Sequence, residues 1–146
     1  MFDMSELPAP ARSVTRSVAI DRPAAEVHAF LADAANWPQW AVVNVLSAEP
    51  GSDPGWWQID TPQGPAEIRI LADAATGVVD HEFRDPDDPE EVATVPARVV
   101  ANGRGAEFLM TVFQPSEVAD ADFDQVLAAV TTEFATLKDV LERRGD

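Results

Sequence analysis

The two histidines, His28 and His81, are the residues of this sequence best suited to proton transfer near neutral pH. Imidazole titrates near neutrality, so a histidine that faces a pocket can orient a ligand or act as a general base. Apolar and polar residues alternate over 78–84, which predicts a strand with His81 on its apolar face. His28 lies on a helix flank opposite Val27 and Leu31 and is expected on the surface. His81 is therefore the candidate catalytic residue; a core histidine bonded to a backbone carbonyl or a carboxylate is the alternative.

Other reaction chemistries find no support in the motifs. The sequence has no cysteine, which excludes thiolate zinc sites, cysteine nucleophiles and thiol redox motifs. Two isolated histidines do not provide the ligand cluster of a zinc or iron site. Fingerprints of serine hydrolases, phosphate-binding loops and dinucleotide-binding folds do not occur. We therefore expect neither a metal nor an organic cofactor.

The charge balance restricts the partners. Ten basic and 26 acidic residues give a net charge of −16, which repels nucleic-acid phosphates and anionic lipid headgroups. The first residues carry acids where a secretory signal needs a basic region, and no stretch approaches the roughly 20 apolar residues of a membrane span. We expect a cytoplasmic protein that neither binds nucleic acid nor inserts into a membrane.

The elements that must position His81 follow from the patterning. Residues 1–12 are expected to form an extended tail and residues 13–146 a single domain. Short apolar segments between turn residues predict seven strands: 13–20, 42–48, 56–61, 66–73, 78–84, 93–101 and 106–114, the last apolar on both faces. Two short helices are predicted at 24–32 and 33–40, the second anchored by Trp37 and Trp40. The short connections leave no room for crossover helices and predict an antiparallel sheet.

The C-terminal segment has the clearest helical pattern. Its apolar residues recur every three or four positions and form one stripe: Phe123, Leu127, Val130, Phe134, Leu137 and Leu141. Asp120 is the predicted N-cap residue, and acids in the first turn suit the helix dipole. About 22 residues at roughly 1.5 Å each give about 33 Å, enough to cross the sheet.

The order of these elements and the sequence motifs of the N-terminal part resemble the START-like superfamily, also called SRPBCC. The resemblance is carried by SVAIDRPAAEV at 17–27, FLAD at 30–33 and WPQW at 37–40. The stretch GVVDH at 77–81 is similar to bacterial members described as polyketide cyclase or dehydrase-like, most of which have no assigned reaction. The resemblance implies an α+β helix-grip fold: a curved antiparallel sheet of about seven strands with a long C-terminal helix across it. It implies a ligand cavity but no single activity.

A cavity between sheet and helix would be lined by the inward residues of both. The predicted ligand-binding residues are Trp57, Ile59, Ile68, Ile70, Val79, His81, Phe83, Phe123, Leu127, Val130 and Phe134. Small inward residues, Ala66, Ala72, Ala97 and Ala101, are expected to leave the volume. The acidic run 85–91 is expected to be a loop at the rim of the pocket, where it would discourage anionic ligands.

Three functions remain open at this point. The first is non-covalent binding of a small, mostly apolar, uncharged molecule, hydrophobic or aromatic, without a cofactor. The second is an enzyme of the polyketide cyclase or dehydratase type, with His81 as proton acceptor. The third is a protein-interaction module of the cochaperone-activator type, which would use an exposed aromatic residue of the outer face such as Trp56.

Overall fold

The computed structural model describes residues 3, 5 and 7–144, so residues 1, 2, 4 and 6 of the predicted tail, and residues 145 and 146, lie outside it. The elements are β1 (Ser13–Ile20), α1 (Ala24–Ala32), a 3-10 turn (Ala34–Asn36), α2 (Trp37–Trp40), β2 (Ser47–Pro50), β3 (Trp56–Thr61), β4 (Gly64–Asp73), β5 (Val78–Asp85), β6 (Asp88–Val95), β7 (Ala97–Asn102), β8 (Gly105–Phe113) and α3 (Asp120–Arg143). Eight strands form one antiparallel sheet in the order β1-β8-β7-β5-β4-β3-β2, with β6 paired to β5. This confirms the predicted α+β helix-grip fold.

The long helix α3 buries the apolar stripe that the sequence predicts. All six stripe residues are buried, and Leu137 and Leu141 are inaccessible to solvent. The predicted N-cap is wrong by one position, because Ala119 is the cap and Asp120 is the first helical residue. Asp120 and Asp122 still lie in the first turn, where the positive end of the helix dipole favours negative charge.

Polar contacts fasten the C-terminal end of α3 to the end of β1. Lys138 Nζ donates to the Ala19 carbonyl at 2.8 Å, and the backbone N–H of Asp21 donates to Glu142 Oε2 at 2.9 Å. Lys138 also pairs with Glu142 at 2.7 Å. These bonds fix the helix across the strand at one edge of the sheet.

The structure corrects two predictions, the strand 93–101 and the loop 85–91. The strand 93–101 is interrupted at Pro96. A proline lacks the N–H that a central strand must donate, and the strand breaks there into β6 and β7. β6 pairs with β5 from Asp88 to Val95. The acidic run is therefore a protruding β-hairpin, and the residues of β6 up to Thr94 are exposed.

The predicted strand 42–48 is also wrong in its first half. β2 spans only Ser47–Pro50, and residues 42–44 form a turn. The backbone N–H groups of Val43 and Asn44 donate to Glu133 Oε2 at 3.1 and 3.0 Å. Because a carboxylate from α3 takes these donors, they do not enter the sheet ladder.

On the outer face of the sheet, Trp56 is covered rather than exposed. Its side chain faces away from α3, as predicted, but the residue is only 5% exposed. The guanidinium of Arg84 lies 3.8 Å from the centre of the indole, and that of Arg69 lies 4.7 Å away. Arg84 bonds in turn to Glu67 and Asp53, so an ion-paired layer seals the ring from solvent.

His28 is likewise buried, which overturns its expected place on the surface. It is 7% exposed, and its Nε2 lies 2.9 Å from the carbonyl oxygen of Val78. The approach of α1 to the β4–β5 turn explains this burial. The same turn also packs closely on β7. Its Gly77 has φ of +81°, and a Cβ there would lie 2.2 Å from the Val99 carbonyl oxygen.

We predict that Leu137→Ala destabilises the protein by about 2–5 kcal/mol, because it opens a cavity where the helix packs most tightly on the sheet. Chemical denaturation followed by circular dichroism measures the change. Leu71→Ala is the matched control, since Leu71 is 42% exposed. Equal effects of the two substitutions would contradict this account of how α3 is held.

Candidate functional site

A cavity of about 280 Å³ lies beneath the N-terminal half of α3. Its walls come from α2 and the turn that follows it, from the concave face of the sheet, and from α3. The α2 side contributes Trp37, Trp40, Ala41, Asn44 and Val45. The sheet contributes Ile59, Thr61, Gln63, His81, Phe83, Val95, Met110 and Val112, and the helix contributes Val126, Val130 and Glu133. Gln63 and Val126 are exposed and mark the opening.

Four of the eleven predicted ligand-binding residues line this cavity: Ile59, His81, Phe83 and Val130. Five others are buried in the surrounding core instead, namely Ile68, Val79, Phe123, Leu127 and Phe134. Trp57 and Ile70 are partly buried and pack against that core. The small residues Ala66, Ala72, Ala97 and Ala101 do not line the cavity, so its volume has another origin than the one expected.

That origin is the α2 side of the molecule, which holds two indoles over the sheet. Trp37 donates its Nε1–H to the Leu31 carbonyl at 2.9 Å, and its ring centre lies 4.8 Å from that of Trp40. Both side chains are buried, as anchoring residues should be. The sequence favours an anchoring role for the pair over contact with a ligand, and in the structure both rings also form a wall of the cavity.

His81 lies in this cavity as an uncharged imidazole. It is 3% exposed, and its ring makes edge contacts with Trp37 and Phe83 at centroid distances of 4.9 and 5.2 Å. Burial lowers the pKa of His81 to about 4, and the backbone of Val79 offsets only part of this effect. Within the described chain its Nδ1 has no hydrogen-bond partner. No carboxylate bonds to this ring within the described residues, and of the predicted alternative, a core histidine bonded to a backbone carbonyl or a carboxylate, only the backbone form, at Val79, remains open.

Glu133 is the charged residue that lines the cavity, and it is not among the residues predicted from the sequence. It is 5% exposed, and its carboxylate accepts hydrogen bonds from Val43 and Asn44. Burial raises the pKa of the Glu133 carboxyl, and those bonds offset part of the rise. A signal was present in the sequence: Glu133 is three residues after Val130 and four before Leu137, so it adjoins the apolar stripe on the helix.

The cavity has no cationic wall. None of its lining residues is a lysine or an arginine. The β5–β6 hairpin, whose base supplies Phe83 and Val95, continues outward into Asp85, Asp87, Asp88, Glu90 and Glu91, all exposed. Together with the net charge of −16, these acids favour a negative electrostatic potential on this side of the cavity.

A second hollow of about 360 Å³ lies between α1, the β4–β5 turn and β7. Most of its lining residues are exposed and short, chiefly alanines. It is a shallow surface groove, whereas the cavity under α3 is lined mainly by core side chains. The latter is therefore the candidate site.

No group of three or more metal-ligating side chains comes together within the described residues. None of the helices within the same ranges combines the length and the hydropathy that a membrane span requires.

Comparison with known proteins locates this architecture among solved structures. No protein family and no curated protein matches the sequence. The Zhui aromatase/cyclase from Streptomyces sp. R1128 is similar with a TM-score of 0.66 and 15% identity, over 92% of this chain and 96% of that one. The Aha1 dimer from Colwellia psychrerythraea has a TM-score of 0.68 and 11% identity, over 90% and 96%.

A third neighbour, Ara h 8.0201, has a TM-score of 0.63 and 14% identity, over 89% of this chain and 97% of that one. The chain has the START-like helix-grip fold. Identities this low establish the fold alone, and the helix-grip neighbours include an aromatase/cyclase as well as Aha1. The START-like fold therefore does not decide among the three functions, and the chemistry of the cavity must do so.

We predict that His81 makes stability fall as the pH is lowered from about 6.5 to about 4. The unfolded chain binds a proton on this side chain below about pH 6.5, whereas the native protein excludes that proton until about pH 4. At about 1.4 kcal/mol per pH unit, the free energy of unfolding loses roughly 2 kcal/mol between about pH 6.5 and pH 5 from this group. Denaturation of wild type and His81→Leu across this range isolates the contribution. Parallel pH profiles for the two proteins would contradict the prediction.

Proposed function

We propose that the protein binds a small, mostly apolar molecule non-covalently in the cavity under α3. The observation that carries this proposal is a cavity of about 280 Å³ inside an otherwise packed core. Ligand sites are typically concave and mainly apolar, with a few polar groups that set orientation. The polar residues that line the cavity are Asn44, Thr61, Gln63, His81 and Glu133.

The volume limits the size of the ligand. A cavity of about 150 Å³ accommodates benzene, so the present volume suits a molecule of one or two fused rings. The indoles of Trp37 and Trp40 supply flat apolar surface on which such rings can pack. The portion of the ligand that meets these walls is expected to be uncharged, because charge transferred to an apolar surface loses its hydration.

Catalysis with His81 as proton acceptor is the second candidate, since the cavity includes this ring. A general base is most effective when its pKa lies near the working pH, and the pKa of His81 is lowered to about 4. This favours an orienting role for the imidazole over proton abstraction. Turnover of a polyketide-like substrate that is lost in His81→Leu would instead support the enzyme.

The cochaperone-activator alternative loses the feature on which it rested. Trp56 was expected to be an exposed aromatic contact, and Arg69 and Arg84 cover it. Similarity to the Aha1 dimer is a likeness of fold at 11% identity and brings no partner with it. We therefore do not retain this function.

The expected result of a thermal-shift screen with neutral one- and two-ring compounds is stabilisation of the wild type. A ligand at about 100 times its Kd adds about 2.7 kcal/mol to the free energy of unfolding. Val130→Phe places a larger side chain in the cavity wall and should abolish the shift. Its own melting curve, compared with wild type without ligand, checks that it is folded. Ligand shifts of equal size in Val130→Phe would mean that binding occurs elsewhere, and no shift in the wild type would remove the proposal.

A further inference from the structure

Glu133 is a buried carboxylate without a counter-cation. Among the described residues, no lysine, arginine or histidine forms an ion pair with it. Its partners are the neutral donors of the 43–44 turn. An ionised carboxylate out of water needs compensation by a partner charge or by several hydrogen bonds, and here it has only the latter.

The hydrogen bonds are distributed unequally between the two carboxylate oxygens. Oε2 accepts from the backbone N–H groups of Val43 and Asn44 and, at 3.3 Å, from Asn44 Nδ2. Oε1 accepts only from Asn44 Nδ2, at 3.2 Å. A carboxylate oxygen can accept two hydrogen bonds, so Oε1 retains room for one more donor.

No other residue of the cavity lining is a positively charged donor for Oε1. His81 is uncharged at neutral pH, and lysine and arginine are absent from the lining. The net charge of −16 and the acidic β5–β6 hairpin near the opening favour the entry of cations. Trp37 and Trp40 line the same cavity, and indole rings also attract cations.

We propose that the ligand of this cavity carries a protonated amine, which donates a hydrogen bond to Glu133 Oε1 while its apolar body occupies the space beside Trp37 and Trp40. This inference rests on the proposed function, because it assigns the ligand of the same cavity. It also qualifies the expectation of an uncharged ligand: the apolar walls favour an uncharged body, and one wall favours a positive charge at one end. Glu133 is then the residue that determines specificity.

The test uses two probes of the same shape and size, 2-aminoindane and 2-indanol. Both are two-ring molecules, and at neutral pH the first carries an ammonium group where the second carries a hydroxyl. Isothermal titration calorimetry with the wild type is expected to show binding of the amine about tenfold or more tighter than that of the alcohol, since hydrogen bonds to charged groups exceed neutral ones by about this factor.

Glu133→Gln removes the charge and keeps an oxygen that can accept from the 43–44 turn. It should erase the preference: binding of the amine weakens about tenfold, and binding of the alcohol changes by less than about threefold. Glu49→Gln is the matched control, because Glu49 is exposed on β2 and does not line the cavity. It removes the same charge and should leave the preference intact.

A crystal structure of the wild type with 2-aminoindane gives a second readout that does not depend on the variant. The nitrogen is expected within hydrogen-bonding distance of Glu133 Oε1. Equal binding of amine and alcohol, a preference that survives Glu133→Gln, or a nitrogen turned away from Glu133 would each overturn the inference. In these cases binding of 2-indanol still supports the proposed function, whereas failure of both probes and of the neutral screen removes both proposals.

Discussion

The contact between the apolar stripe of α3 and the concave face of the sheet is the interaction on which the rest of the structure depends. Phe134, Leu137 and Leu141 close the C-terminal half of this contact with almost no accessible surface. Toward the N-terminal half, the cavity wall has the shorter Val126 and Val130. Phe123 and Leu127 are buried in the core as well, so the helix leaves space only along the side that carries Val126, Val130 and Glu133. A site built in this way inherits its rigidity from the helix, because moving its wall would also disturb the packed half.

The elements that the sequence predicts most accurately are those whose residues carry a complete local pattern. The alternation over β1, β3 and β5 and the stripe of α3 appear where expected, because each reflects burial of one face by a whole element. The errors occur where a residue far away in the sequence determines the local backbone conformation. Residues 42–46 are rich in β-branched side chains, as strands are, yet Val43 and Asn44 donate to Glu133, which is about ninety positions further along the chain. No local pattern contains that partner.

Trp56 shows the same limitation on the outer face. Its orientation away from α3 follows from the period of two along the strand. Its burial does not, since it depends on Arg69 from the adjacent strand β4 and on Arg84 from β5, the strand beyond β4. The candidate site divides in a similar way. Patterning identifies the inward face, and hence His81, but not the point along each strand where the helix stands away from the sheet. The cavity lies beside α2 and the turn after it, whose indoles form one of its walls.

The cavity wall contains two ionisable side chains with shifted pKa values, His81 and Glu133. Burial of His81 lowers the stability of the fold in acid, and burial of Glu133 lowers it as the pH rises. Burial lowers the pKa of His81, so its contribution to the free energy of unfolding is lost as the pH falls. Burial raises the pKa of Glu133, so the contribution of this residue to the same free energy is lost as the pH rises. Apolar residues of similar volume at both positions would avoid these losses. In natural proteins the residue type at each position generally agrees with the fold, and the exceptions are expected at functional or strained sites. Of the three buried polar residues that the structure describes, His28, His81 and Glu133, the last two line the same cavity, and Glu133 also holds the 43–44 turn. They support the view that the cavity is a binding site and that its polar groups await complementary groups on a ligand.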